Sequence, residues 1–258
     1  MTVAGGAVFE SRRRELRHLW ATGRRAIDAL VFPWECALCG APGEASPFCE
    51  GCRAELLGAS GVPCERCAMP VGPWADRRGG CSECRGKSLG FDGVIALGPY
   101  AGPIRHLCLR LKAERNAWLA PWLAAVLAEA RAEALRVPGD SWVVPIPLHW
   151  RRLWRRGYNQ SEALALGLSK RLALRLAFPL RRVRATPPLA RSGRSERAKA
   201  MRDAFRAKDS SSLHGRVVLL VDDILTTGAT CGAAARALKR AGAARVIAVV
   251  VGRAEGKS

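Results

Sequence analysis

Nowhere in this chain does a continuous apolar run approach the ~20 residues that a membrane-spanning helix needs. The first thirty residues also lack the pattern of a secretory signal peptide, so the chain is expected in the cytoplasm. Acidic side chains are scarce: 22 Asp and Glu stand against 42 Lys and Arg, for a formal net charge of +20 and a pI near 10.7. That imbalance points to polyanionic partners, whether nucleic acid, phosphorylated ligands or an acidic membrane surface. No internal repeat longer than a cysteine pair is present. At 258 residues and 49% hydrophobic content, the chain can build the core of one large or two modest domains.

Eight of the ten cysteines fall in four Cys-x-x-Cys pairs: Cys36 with Cys39, Cys49 with Cys52, Cys64 with Cys67, and Cys81 with Cys84. In a reducing compartment this pattern predicts metal ligation rather than disulfides. Each pair supplies two corners of a tetrahedron, and Gly40 and Gly86 follow where a knuckle turn needs them, so four pairs make two structural zinc sites. Pairing in sequence order is expected, with a crossed arrangement as the alternative. A thioredoxin-like redox pair would need a βαβ setting, which this Pro- and Gly-rich segment lacks. So short a segment has little apolar core, and metal would supply its folding free energy. Cys108 and Cys231 stand outside the pairs and read as small buried apolar residues.

The stretch 217–230 is the one the chain is organised around. Residues 217–221 (Val-Val-Leu-Leu-Val) predict a strand buried on both faces, stopped by Asp222 and Asp223. A hydroxyl-rich turn follows, made of Thr226, Thr227, Gly228, Ala229 and Thr230, and residues 231–242 predict an Ala-rich helix ending at a glycine. Free backbone N–H groups at a helix start attract phosphate, and Gly228 lets the backbone come close to the anion. The two carboxylates suit vicinal sugar hydroxyls or a nearby metal ion. A ligand with a phosphate at one end and a ribose diol beside it fits both halves.

Elsewhere the pattern alternates strands with helices. Residues 10–31 form a basic amphipathic helix ended by Pro33; strands are expected at 91–100, 141–147, 178–183 and 245–252, and helices at 104–111, 118–135 and 159–176. Arg151, Arg152, Arg155 and Arg156 lie in a loop after the second strand, where four guanidiniums could clamp a diphosphate. Trp150, Trp154 and Tyr158 in the same loop could instead stack nucleic-acid bases. His149 reads as an ordinary polar contact. Residues 184–205 are basic and poor in core residues, as in a segment that closes over a ligand.

Residues 221–230 resemble the phosphoribosyl diphosphate (PRPP) signature of type I phosphoribosyltransferases, and residues 30–252 resemble the ComF family, which joins such a domain to a zinc ribbon. The resemblance implies an α/β fold: an open parallel sheet flanked by helices, with its ligand above the strand tips, preceded by a small zinc-ribbon module. After the basic helix (1–32), it divides the chain into a double zinc ribbon (33–88) and a phosphoribosyltransferase-like domain (89–254). It implies PRPP with Mg2+ as ligand, Asp222 and Asp223 on the ribose, and the turn at 226–230 on the 5′-phosphate. It also places the pyrophosphate loop at Arg151, Arg152, Arg155 and Arg156, and implies single-stranded DNA and the competence helicase machinery as partners. Leu189 and Ala200 depart from the Gln and Asn that relatives carry, a departure that bears on catalysis rather than on PRPP binding. The alternative is a zinc-dependent protein that binds single-stranded nucleic acid on a catalytically silent version of the same fold.

Overall fold

The computed structural model describes residues 34–43, 46–59, 62–72, 74–184, 203–208 and 211–255. The basic helix expected at 10–31, and Leu189 and Ala200 with nearly all of the closing segment, lie outside the described residues. Contacts divide the chain into two compact units, 1–52 and 53–258. Among the described residues, no helix is long and apolar enough to cross a membrane.

In the first unit, β1 (Trp34–Glu35) and β2 (Pro42–Gly43) form a small antiparallel ladder around the first cysteine pair. Gly40 takes φ +75°, which closes that turn at no steric cost. Helix α1 (Glu50–Gly58) carries Cys52 in its first turn and continues into the residues of the second unit.

The larger unit is built on a five-stranded sheet whose neighbouring strands are all parallel. Its strands are β3 (Gly93–Pro99), β4 (Trp142–Pro145), β5 (Arg175–Leu176), β8 (Val217–Leu225) and β9 (Arg245–Arg253), in the spatial order β3-β9-β8-β4-β5. β8 and β9 lie at the centre and are buried along nearly their whole length, as their unbroken apolar runs require. Helix α6 (Ala229–Arg240) packs its alanine-rich face, through Ala234, Ala237 and Leu238, on Val144, Leu220 and Ala248. The same core takes in Leu180 and Phe205 of a separate antiparallel pair, β6 (Leu180–Arg182) and β7 (Phe205–Ala207). Alternate strand residues such as Val143, Leu219 and Val249 are equally buried and point to the other face. That side is covered by α2 (Gly102–Arg110), α3 (Leu119–Ala130) and α5 (Gln160–Leu172), which pack on β9, β3, β4 and β8. α3 and α5 touch closely at Gly167, where a Cβ would come within 2.7 Å of the Ala124 methyl.

Three local expectations change. β8 does not stop at the acids; Asp222 stays paired with Val250 and Ile224 with Gly252. The carboxylates do not break the ladder because each folds back on its own backbone, accepting from the next residue's N–H at 2.9 Å. The arginine segment is not a loop but a short helix, α4 (Trp150–Arg156), capped by the His149 side chain and terminated by Gly157 at φ +77°. The strand expected at 178–183 leaves the main sheet, pairing with β7 instead.

Candidate active site and cysteine clusters

β8 delivers Asp222 and Asp223 to the carboxyl end of the sheet, next to the start of α6. Asp222 Oδ1 accepts from the Ser161 hydroxyl at 2.8 Å and from the Asp223 N–H at 2.9 Å. Burial, with the Asp223 carboxylate alongside, pushes the Asp222 carboxyl up to about 8, and the Ser161 hydrogen bond offsets only part of that. Asp223 is 7% exposed; its Oδ2 takes a long hydrogen bond from Gln160 Nε2 at 3.5 Å. Gln160 Oε1 in turn accepts from Arg156 Nη1 at 3.2 Å, which links the acids to α4.

The turn from β8 into α6 passes through Gly228 at φ +77°, a left-handed conformation suited to glycine. The Gly228 carbonyl accepts from Gly232 N–H at 2.7 Å, closing the first helical turn. A cavity of about 290 Å³ opens here, lined by Lys87, Ser88, Leu89, Thr227, Gly228, Ala229 and Arg236. The segment that follows the last cysteine pair therefore supplies one wall of the turn's surroundings.

The helical period of α4 sorts its four arginines into two pairs. Arg152 and Arg156 are half-buried, whereas Arg151 and Arg155 are exposed. Arg152 shares its surroundings with Arg182 of β6, whose guanidinium lies over the Phe205 ring at 5.4 Å and whose charge acts on both Arg152 and Asp222. Burial, reinforced by Arg182, Arg151 and Arg152, holds His149 below the usual histidine range. A neutral imidazole can then accept the Arg151 N–H at Nδ1, 3.3 Å away, and cap the helix. On the exposed side, Trp150 is 63% and Trp154 90% accessible, with the Arg151 guanidinium 5.2 Å from the Trp150 ring.

The cysteines gather in sequence order: Cys36, Cys39, Cys49 and Cys52 in one cluster and Cys64, Cys67, Cys81 and Cys84 in the other, each with ligand atoms within 4.8 Å of one another. Four thiolates about 2.3 Å from a zinc ion stand about 3.8 Å apart along the tetrahedral edge. The Sγ separations meet that requirement: 3.7 Å for Cys39 and Cys49, 3.7 Å for Cys64 and Cys84, 3.5 Å for Cys67 and Cys81. All ten cysteines are free of disulfides, and Cys108 and Cys231 are buried apart from both clusters. Burial opposes ionisation of Cys64, yet N–H groups of Cys81, Cys67 and Arg66 bring its thiol down to about 7. The second cluster is wholly buried, packed with Met69, Val71 and Leu89; in the first, Cys39 is exposed.

Residues 160–257 match the phosphoribosyl transferase domain family, and residues 27–85 match the double zinc ribbon domain. DNA utilization protein YhgH of Escherichia coli (strain K12) is 32% identical over 189 residues, covering 71% of this chain and 80% of that protein. This chain belongs to the ComF family. Competence protein F of Haemophilus influenzae is 29% identical over 202 residues, covering 76% of this chain and 85% of the relative. A shorter likeness, 56% over 43 residues, joins 17% of the chain to 23% of adenine phosphoribosyltransferase from Mycobacterium marinum.

Several site residues carry no signal in the ComF-type motifs read from the sequence. Ser161 lies 61 positions from the acid it serves, and Arg182 sits in a short strand with no marked pattern. Arg253, buried at the end of β9, reads locally as one more surface cation of a basic tail.

Proposed function

We propose that this ComF-family chain binds PRPP with Mg2+ at the carboxyl end of β8 and transfers its phosphoribosyl group to an acceptor, in the service of DNA uptake or utilization, as its relatives are named for. The observation that carries this reading is the adjacency of two carboxylates on β8 and the left-handed glycine turn at Gly228 that opens α6.

In this reading the turn at 226–230 holds the 5′-phosphate through main-chain N–H groups and threonine hydroxyls. Asp222 and Asp223 accept hydrogen bonds from the ribose hydroxyls and stabilise positive charge as it develops on the ring. The bond from ribose C1 to the diphosphate oxygen breaks, the electron pair leaves with the diphosphate, and a nucleophilic acceptor such as a nucleobase nitrogen bonds to C1. Arg152 and Arg156, with Arg182 beside them, stabilise the departing charge; bound magnesium would neutralise part of it. Catalysis is then positioning and electrostatics, and no protein nucleophile is required. The two cysteine clusters each hold one zinc ion as structural metal.

Titration of PRPP with Mg2+ into wild-type protein should give heat that Asp222→Ala/Asp223→Ala protein does not. Equal or absent heat in both proteins removes the PRPP site. Turnover of PRPP with candidate acceptors then separates an enzyme from a binding protein.

A second reading is favoured by the exposed face of α4. Trp150 and Trp154 stand one helical turn apart and uncovered, flanked by Arg151 and Arg155. Aromatic faces with interleaved cations form a stacking platform for single-stranded nucleic acid. Single-stranded DNA binding should weaken steeply with salt, and a flat salt response argues against it.

A further inference from the structure

The second cysteine cluster and the phosphate turn share a buried arginine. Arg253, the last residue of β9, is 3% exposed. Its Nε donates to the Cys67 carbonyl at 2.7 Å, and its Nη1 donates to the carbonyls of Leu225 at 3.2 Å and Thr226 at 2.7 Å, and to that of Ala254. A guanidinium projects its donors in one rigid plane, so these carbonyls are held in a fixed relation. Cys67 belongs to the second cluster; Leu225 and Thr226 lead into the turn at Gly228. A parallel contact reinforces the tie: a Cβ on Gly232, in the first turn of α6, would come within 2.3 Å of the Leu89 carbonyl just beyond Cys84.

We propose that Arg253 is a positioning residue coupling the second four-cysteine site to the phosphate turn: zinc there holds the turn in its binding shape, and an anion on the turn retains the zinc. This rests on the reading of residues 226–230 as a phosphate site. A tetrahedral metal centre fixes the backbone at Cys67 and so the direction of its carbonyl, the acceptor for Arg253 Nε. Removing the metal frees that carbonyl to turn away, and the guanidinium then loses one of the anchors by which it steadies Leu225 and Thr226. Linkage makes the effect reciprocal: whatever stabilises the turn must tighten zinc binding at the second site by the same free energy.

The test uses full-length, zinc-loaded wild type, Arg253→Lys and Arg253→Met. Hydrogen exchange is followed in peptides covering 226–230, with β4 peptides as a control for global unfolding. Arg253→Lys, which presents one ammonium in place of the fork, should exchange at least about fivefold faster in the turn with β4 unchanged; Arg253→Met, if it folds, should be faster still. In wild type, PRPP with Mg2+ should raise the second cluster's zinc affinity, read by equilibrium competition with a chelator, at least about fivefold while leaving the first cluster's affinity unchanged, and Arg253→Lys should abolish that selectivity. Turn exchange in Arg253→Lys equal to wild type overturns the coupling. So does PRPP binding that leaves the second cluster's zinc affinity unaltered. If PRPP does not bind wild type at all, the proposed function falls, and the exchange comparison still decides the coupling.

Discussion

The Ser161 hydroxyl donates to Asp222 Oδ1 at 2.8 Å, joining the first turn of α5 to the acidic end of β8. It is a side-chain donor that stabilises the ionised form of a carboxyl otherwise pushed up by burial and by Asp223. Ser161→Ala should therefore raise the Asp222 pKa further. At pH 7 it should weaken PRPP–Mg2+ binding by about tenfold, the scale of one hydrogen bond to a charged group. Calorimetry at pH 7 and pH 9 checks this, and the deficit should shrink at the higher pH, where Asp222 ionises in both proteins.

Asp222 also sets a pH dependence of stability. Its folded-state pKa of about 8 lies above its ordinary value of 3.8, so the folded state holds the proton more tightly than the unfolded chain. Its stabilising contribution is complete below pH 4 and is lost as the pH rises toward 8. Asp222→Asn keeps an oxygen for Ser161 and for the Asp223 N–H but cannot ionise. It should match wild type near pH 4 and gain on it progressively as the pH rises toward 8, with a Tm difference that grows over the same range. Thermal unfolding across pH 4–9 reads the difference; a constant offset would rule out titration as its cause.

The same proton competes with ligand. If ionised Asp222 is the form that receives magnesium and the ribose hydroxyls, PRPP–Mg2+ affinity in wild type should climb with pH, up to about tenfold per unit, and level off above about 8. In Asp222→Asn protein the rise should disappear. Isothermal titrations in buffers of different ionisation enthalpy would count the proton released on binding.

The two cysteine clusters should differ in consequence when emptied. Intact protein should carry two zinc ions per chain, and Cys39→Ser or Cys84→Ser should each reduce that to one. Cys84 lies in the buried cluster packed with Met69 and Leu89, so its loss should destabilise the larger unit by about 2–5 kcal/mol. Cys39 is exposed and belongs to the other unit, so Cys39→Ser should leave the unfolding of the larger unit nearly unchanged. Metal analysis and calorimetry on the two variants make the comparison.

The sheet, its flanking helices and the cysteine clusters were legible because their signals are local. The apolar runs at 217–221 and 245–252 define buried strands by composition alone, and the Cys-x-x-Cys spacing is set by what one metal ion demands of neighbouring residues. The helix at 150–156 is not legible in the sequence because it depends on a His149 cap, and whether an imidazole stays neutral to accept an N–H depends on arginines that only folding brings near.

By itself, then, the sequence determined the parallel α/β frame, the acidic pair followed by a glycine turn, and two tetrads of thiols. Those follow from periodicity and from ligand spacing within a few residues. The tertiary structure alone decided that Ser161 and Gln160 tune the acids, that Arg152 and Arg156 part company with Arg151 and Arg155, and that Arg253 ties Cys67 to Thr226. These are contacts between distant segments, and hydrogen bonds of that kind leave no pattern along the chain because their geometry exists only after the strands have packed.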